Sequence, residues 1–213
     1  MDNNIISALR ENYSKAELLE YLVDENPIQQ FRKWFTEAVN SNLAEPNAMT
    51  LSTTDGLQPD SRVVLLKQID DDGFVFFTNY DSHKGQQIEK NNLVAINFLW
   101  LELERQVRIS GIAEKISEKQ SADYFYSRPV GSQLGAIVSN QSSEIDSRAT
   151  LEEKMKDAIE YYKTNPIVKP ENWGGYLVKP SQIEFWQGRS SRLHDRICYK
   201  KEADVWTIKR LEP

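Results

Sequence analysis

Between residues 27 and 42 apolar side chains recur at the spacing of one helical face: Ile28, Phe31, Phe35, Ala38 and Val39. Asn26-Pro27 stands just before them, an N-cap followed by proline at the first helical position, so a helix is predicted over 27–42. From Ala48 the period shortens to that of strands. "AMTLST", "SRVVLLKQI", "FVFFTN", "LVAINFLW" and "RQVRISGIAEKI" read as strands, the first three separated by the turns "DG" and "DDG". "SHKGQQIEKN" reads as a short helix. Ser117 and Gln120 form a capping box for a helix that runs to Ser127 and stops at Arg128-Pro129. "SRATLEEKMKDAIEYYK" predicts a longer helix burying Leu151, Met155, Ala158 and Ile159. "GGYLVKPSQIEFWQG", "RICYKK" and "VWTIKRL" close the chain as strands.

Strands in a mostly meandering order, with helices inserted rather than alternating, disfavour a doubly wound parallel sheet. They predict a mainly β protein with peripheral helices, an antiparallel barrel or sandwich. Residues 1–25 are polar with scattered apolar positions and read as an arm; residues 26–213 read as the domain.

Composition narrows the function. A net charge of −6 argues against a nucleic-acid binder or a protein for anionic membranes. A single cysteine, Cys198, excludes an internal disulfide and a cysteine-rich metal site; it reads as an inert strand residue. No apolar run approaches the roughly 18 residues of a membrane span, and the N-terminus lacks the hydrophobic core of a signal peptide, so a cytoplasmic protein is expected.

Within this acidic chain, cations and hydroxyls cluster locally. In "SRVVLLK" a regular strand would put Arg62 and Lys67 on opposite faces, and the apolar run Val63 to Leu66 predicts burial on both. The two cations either reach anionic groups or snorkel to water at the rim. In "FFTNYDSHKG" a strand hands over to a helix whose first turn carries His83 and Lys84, either a phosphate site or a plain capped turn. Tyr124 and Arg128 are four apart on one helical face and Ser132 follows in the loop after the proline, either a phosphate clamp or packing. "SNQSS" (139–143) suits an anion or a helix cap. In "EFWQGRSSRLHDR", Trp186 offers a flat ring. If that stretch is extended, Arg192, His194 and Arg196 share one face. No dinucleotide, P-loop, zinc-protease or Ser/His/Asp pattern occurs. Many anion-binding groups without an evident nucleophile fit a protein whose phosphorylated cofactor carries the chemistry.

"RVVLLK", "FFTNYDSHK", "LERQVRISG", "YFYSRPVGSQLGA", "VSNQSS", "WGGYLVKPSQIEFWQG", "RLHDR" and the closing "WTIKRLEP" occur in the order and spacing of pyridoxine/pyridoxamine 5′-phosphate oxidases. The chain resembles that family from about Leu9 to its end. The resemblance implies an FMN-binding split barrel of antiparallel Greek-key type, and a homodimer with FMN at the subunit interface. It implies FMN contacts from Arg62, Val63, Val64, Leu65, Leu66 and Lys67, then from Phe77, Thr78, His83 and Lys84. Gln106, Gln141, Ser142, Trp186 and Arg196 complete that set. It implies a grip on the substrate phosphate by Lys67, Tyr124, Arg128 and Ser132. Arg192, Leu193 and His194 would face the pyridine ring, with Arg192 and His194 as the catalytic pair, and Arg10 and Tyr13 would belong to a lid over the substrate. The implied reaction is oxidation of pyridoxine or pyridoxamine 5′-phosphate by O2 to pyridoxal 5′-phosphate, with hydride passing from C4′ to the flavin and H2O2 released. His83 stands where many members have arginine, which predicts weaker FMN retention once the imidazole is neutral. Two other readings compete: another split-barrel flavin oxidoreductase, and a non-catalytic flavin or vitamer carrier.

Overall fold

In the computed structural model, the described residues are Asn4, Ala8, Leu9 and 11–213. Arg10, expected in the lid, lies outside them. Five helices and nine strands are described. They run α1 (Pro27–Asn40), β1 (Ala48–Thr54), β2 (Pro59–Leu65), β3 (Gln68–Asp70), β4 (Gly73–Asn79), α2 (His83–Lys90), β5 (Leu93–Trp100), β6 (Arg105–Lys115), α3 (Glu118–Ser127), α4 (Val130–Val138), α5 (Arg148–Tyr161), β7 (Trp173–Gln187), β8 (Asp195–Glu202) and β9 (Val205–Arg210). The sheet order is β2-β1-β5-β6-β7-β4-β3, with β8 on β7 and β9 on β8. The first half of β7 pairs antiparallel with β4, and its second half pairs antiparallel with β8. The expected antiparallel, mainly β class with helices inserted between strands is what the chain forms.

The chain divides into two compact units. One comprises residues 1–49, 96–110 and 180–213, and the other residues 50–95 and 111–179. The first unit is built on aromatic packing. Phe31 and Trp34 of α1 meet Phe98 and Phe185 at 5.0 and 5.2 Å between centroids, and Phe185 meets Tyr199 at 5.6 Å. Tyr199 keeps its buried hydroxyl satisfied by donating to the carbonyl of Asp24 (2.6 Å). Helix α1 starts as predicted: Asn26 Oδ1 accepts the N–H of Ile28 at 2.8 Å, with Pro27 in the first turn. Its buried stripe is Ile28, Phe31, Trp34 and Ala38, and Val39 is 48% exposed. Steps of three and then four residues from Phe31 reach Trp34 and Ala38, and Val39 falls about 100° further round the helix.

In the second unit Phe74, Phe76, Tyr176 and Val178 of the β4–β7 pair form the core with Leu51, Ile88 and Phe125. Here four expectations need correction. The single strand expected over 61–69 is two, β2 and β3, with Leu66 and Lys67 between them. The apolar run is not buried on both sides, since Val63 is 67% exposed. The segment holding Ser132 is helix α4 rather than a loop. Pro129 opens it, a role its fixed φ suits, while Gly131 and Gly135 hide the helical pattern in the sequence. In α5 only Ala158 is buried, and Ile159 is 46% exposed. The capping box at Ser117 and Gln120 is formed as predicted.

Helix α2 matters most for the site. Ser82 caps it, and Gly85 lets its first turn press against the preceding chain. A Cβ at Gly85 would lie 2.0 Å from the carbonyl oxygen of Tyr80. Gly85→Ala is therefore expected to destabilise the protein by about 2–3 kcal/mol, as overpacking against fixed backbone does. The urea midpoint of unfolding measures this; an unchanged midpoint would mean that the turn has slack.

Candidate active site

The second unit contains a cavity of about 790 Å³, lined by residues of that unit alone. Strand β2 delivers Arg62, Val63, Val64 and Leu65, and the end of β4 delivers Phe77, Thr78 and Asn79. Lys84 comes from the first turn of α2, Tyr124 from α3, Arg128 from its C-terminal cap, Ser132 from α4, and Gln141 from the loop beyond. Lys67 joins them, so Arg62 and Lys67 line the same cavity rather than opposite faces. The break explains this: Leu66 turns inward, the Lys67 N–H donates to the carbonyl of Val75 (2.9 Å), and strand alternation is interrupted. The lining residues include four cations and no carboxylate.

Each cation is held differently. Arg62 donates to the carbonyl of Leu51 (3.3 Å) and to Thr53 Oγ1 (2.6 Å), and pairs with Asp60. Asp60 also meets His83 Nδ1 at 3.1 Å. His83 itself is exposed and does not line the cavity, so the imidazole bears on the site through Asp60 and Arg62. Lys84 is only 8% exposed, and its ammonium donates to Gln141 Oε1 (2.9 Å) and Thr78 Oγ1 (3.2 Å), both neutral. Burial, then the Arg62 guanidinium, pull its pKa down to about 8, against the attraction of Asp60. Arg128 lies over the Trp173 ring at 4.6 Å and donates through Nη2 to the carbonyl of Ser132 (2.6 Å). Its Nη1 is buried and has no hydrogen-bond partner, and burial holds its pKa below the ordinary value. The rings of Phe77 and Tyr124 stack at 3.9 Å, with Trp173 nearly parallel beyond.

The first unit contains another cavity, about 650 Å³, lined by Leu9, Glu11, Asn12, Tyr13, Arg189, Ser191, Arg192 and His194. The expected extended face is not formed. Residues Ser190–Arg192 make a 3₁₀ turn in which Ser191 and Arg192 have positive φ, 57° and 62°. The turn still brings Arg192 and His194 to one cavity, but Arg196 does not line it. Arg196 donates to the buried carboxylate of Glu184 (2.8 Å) and to the carbonyl of Glu212 (2.8 Å). His194 sits 4.7 Å from the Trp186 ring and accepts the main-chain N–H of Arg189 at Nδ1 (3.1 Å). Burial, then Arg192, lower its pKa, and Asp195 opposes them.

Part of the segment expected as an arm is seated on this unit. Glu104 Oε2 accepts the N–H groups of Ser14 (2.8 Å) and Lys15 (3.0 Å). Asp195 accepts that of Leu18 (3.0 Å), and Tyr13 packs edge-on to Trp186 at 5.7 Å. A Cβ at Gly188 would meet the Tyr13 ring at 2.7 Å, so glycine there makes room for it. Of the other residues expected at the site, Leu66 is buried, Gln106 lies half-buried in β6, and Ser142 and Leu193 are exposed; none lines either cavity. Residues that sequence reasoning passed over include Asp60 and Thr53, which hold Arg62, and Trp173, which carries Arg128. Thr53 lies 9 positions from Arg62 and Trp173 lies 45 from Arg128, while Asp60 is only two from Arg62.

Residues 35–161 match the "Pyridoxamine 5'-phosphate oxidase" family, and residues 173–213 match the "Pyridoxine 5'-phosphate oxidase C-terminal dimerisation region". A pyridoxine/pyridoxamine 5′-phosphate oxidase of Trichormus variabilis is 56% identical over 211 residues, covering 98% of each chain. Its counterpart in Flavobacterium johnsoniae is 54% identical over 212 residues, covering 98% of this chain and 99% of the relative. Among solved structures, PhzG of Burkholderia lata in complex with tetrahydrophenazine-1-carboxylic acid superposes with a TM-score of 0.88. It is 27% identical, over 94% of this chain and 100% of that one. A pyridoxamine 5′-phosphate oxidase-related, FMN-binding protein of Nostoc punctiforme shares the fold, with a TM-score of 0.71 and 18% identity over 86% and 97%. Both superpositions place the chain in the split-barrel class expected from its sequence.

Proposed function

The chain belongs to the pyridoxine/pyridoxamine 5′-phosphate oxidase family, and from that premise we propose that it oxidises pyridoxine or pyridoxamine 5′-phosphate to pyridoxal 5′-phosphate with FMN and O2. The observation that carries the proposal is the cavity with four cations and no carboxylate in a protein of net charge −6. Two of those cations have buried polar atoms and no counter-ion of their own. Lys84 is buried against neutral partners, and Arg128 keeps a buried Nη1 without any. Such groups are costly unless an anion completes them. A phosphorylated flavin and a phosphorylated vitamer supply two anions, so the residues present fit FMN.

In this reading Lys84 and Arg62 hold the FMN phosphate. Lys67, Tyr124, Arg128 and Ser132 hold the substrate phosphate in that same cavity, and Arg192 and His194, which line the cavity of the other unit, are the pair that the family resemblance assigns to the substrate ring. Bound FMN supplies a two-electron acceptor for the hydride of C4′ and a route for those electrons to O2, which leaves as H2O2. The chain's own contribution is position. Fixing a small substrate at its phosphate and its ring removes freedom that otherwise opposes reaction, worth roughly 7–11 kcal/mol where alignment is good. Tyr13 and the seated segment around it shield the Arg192/His194 cavity from water. The protein acts as a homodimer, a reading that the match to a dimerisation region supports, and the family resemblance puts FMN at the subunit interface.

Anaerobic mixing of FMN-loaded protein with pyridoxine 5′-phosphate tests the proposal. The visible flavin absorbance is expected to bleach and to return on admission of air, with one H2O2 per turnover. A yellow protein that never bleaches would be a carrier. Bleaching by a reduced nicotinamide but not by the vitamer would make it a flavin reductase.

A further inference from the structure

His194 is one of two histidines in the chain, and its surroundings determine which ring nitrogen carries hydrogen. The main-chain N–H of Arg189 lies 3.1 Å from Nδ1. An amide N–H only donates, so Nδ1 must present a lone pair. A neutral imidazole with its lone pair at Nδ1 carries its hydrogen at Nε2. We propose that His194 acts as a fixed, neutral Nε2–H donor to an acceptor atom of the bound pyridine substrate, that the Arg189 main chain is its positioning group, and that the ring takes no proton during oxidation. This rests on the function proposed above and adds to it the direction of a hydrogen bond and the protonation state behind it.

The donor at residue 189 is itself held in place. The Arg189 guanidinium bonds Glu17 (3.0 Å) and Asp195 (3.4 Å). The adjoining Gly188 N–H donates to the carbonyl of Glu104 at 2.7 Å. Proton uptake by His194 would turn Nδ1 into a second donor facing a donor, and the contact with Arg189 would be lost. The cations around the ring oppose that proton. Arg189 and Arg192 line the same cavity, and Glu11 and Tyr13 face it from the N-terminal segment. Asp195 is the carboxylate beside His194 in sequence, and it is already engaged by the Leu18 N–H, by Arg189 and by Arg210 (2.7 Å). Burial and Arg192 lower the ring's pKa further. His194 lines the cavity with Arg192, and the Nε2 edge is what the ring has left to offer a ligand. The proton released when the alcohol or amine carbon is oxidised then passes to water, not to this imidazole.

The chain's small histidine content makes the test direct. In FMN-loaded protein carrying 15N-histidine, NMR that links ring nitrogens to ring carbon-bound hydrogens reports both rings, and His83→Gln assigns them. At pH 7.5 His194 is expected to show an unprotonated Nδ1 and a protonated Nε2, as a single tautomer. An Nδ1–H form, an even mixture, or imidazolium at that pH would overturn the proposal. Kinetics give an independent arm. His194→Gln places a non-titrating amide N–H within reach of the same position and is expected to recover most of the kcat/KM that His194→Ala loses. His194→Ala loses about tenfold or more in kcat/KM, chiefly through KM. A loss of roughly 100-fold or more in kcat for His194→Gln would instead mark a proton-transferring base and sink the idea. The spectrum needs no turnover, so it stands or falls apart from the proposed reaction.

Discussion

Lys84→Met is expected to yield a ligand-free protein more stable than its parent and about 10- to 100-fold weaker in FMN binding. The two effects share one cause. Lys84 is buried, and its pKa falls from 10.5 to about 8. Below pH 8 the folded, ligand-free protein therefore carries a charge in a place that disfavours it, at a cost of roughly 3 kcal/mol from a shift of that size. The sign of the pH dependence follows from the protons bound. Between pH 8 and 10.5 the unfolded chain still holds the proton and the folded one has released it, so stability of the parent rises with pH across that window. Methionine removes the charge and the slope together. It also removes the ammonium donor to Thr78 Oγ1 and one of the two donors to Gln141 Oε1, whose other donor is the Thr78 hydroxyl (3.0 Å); this offsets part of the gain, so about 1–2 kcal/mol of net stabilisation is expected at pH 7. Urea unfolding of both proteins without FMN at pH 7 and 9.5 measures the gain and its shrinkage. The binding loss reflects a charge-assisted hydrogen bond of about 1.5–3 kcal/mol. In the parent, FMN affinity falls as pH rises above 8, with proton uptake on binding, and in the variant it does not. A less stable variant, or one that holds FMN as tightly, would remove Lys84 from the anion site.

Lys84 also marks where sequence reasoning reached its limit. That a strand-to-helix turn would present a lysine was legible, because Ser82 caps the helix and the lysine sits in its first turn. That the lysine would be buried against Thr78 and Gln141 was not, because Gln141 lies 57 residues away in an irregular loop. The same holds elsewhere. Helix α1 and the Ser117 capping box are local devices, and both form as read. The break at Leu66 depends on where β4 offers the Val75 carbonyl, a long-range fact that reverses the expected separation of Arg62 and Lys67. Helix α4 carries two glycines within its nine residues, so propensity hides it. The Ser190–Arg192 turn places two non-glycine residues at positive φ, a conformation no periodicity rule foresees. Arg192 and His194 nonetheless reach one cavity, by a tight turn instead of strand alternation. His83 was placed at the FMN phosphate on resemblance. Its contact with Asp60 makes the imidazole share that carboxylate with Arg62.

The orphaned Nη1 of Arg128 leads to the second large effect. Its guanidinium is spread over Trp173, one arm is spent on the Ser132 carbonyl, and the other is buried without a partner. That arrangement suits a planar fork awaiting an anion, and lysine, a point donor without a plane to stack, cannot reproduce it. Arg128→Lys is expected to raise KM for pyridoxine 5′-phosphate by about 10- to 100-fold, and Arg128→Met by about 100-fold or more, with kcat changed far less. A loss confined to KM marks a contact made equally in the bound ground state and at the reacting stage, which is what a grip on a distant phosphate provides. Pyridoxine without its phosphate supplies the control: its weak turnover is expected to stay within about threefold in both variants, because the removed group has nothing to hold there. FMN affinity is expected to stay level as well, in contrast to Lys84→Met, since the two cations serve different anions in one cavity. Equal losses with and without the substrate phosphate would show that Arg128 shapes the cavity through Trp173, and a fall in FMN affinity would reassign it to the cofactor. Removing a half-buried, half-satisfied cation also favours the ligand-free fold, so Arg128→Met should unfold no earlier than its parent in urea. A variant that is at least as stable yet blind to the phosphate separates recognition from folding at this position.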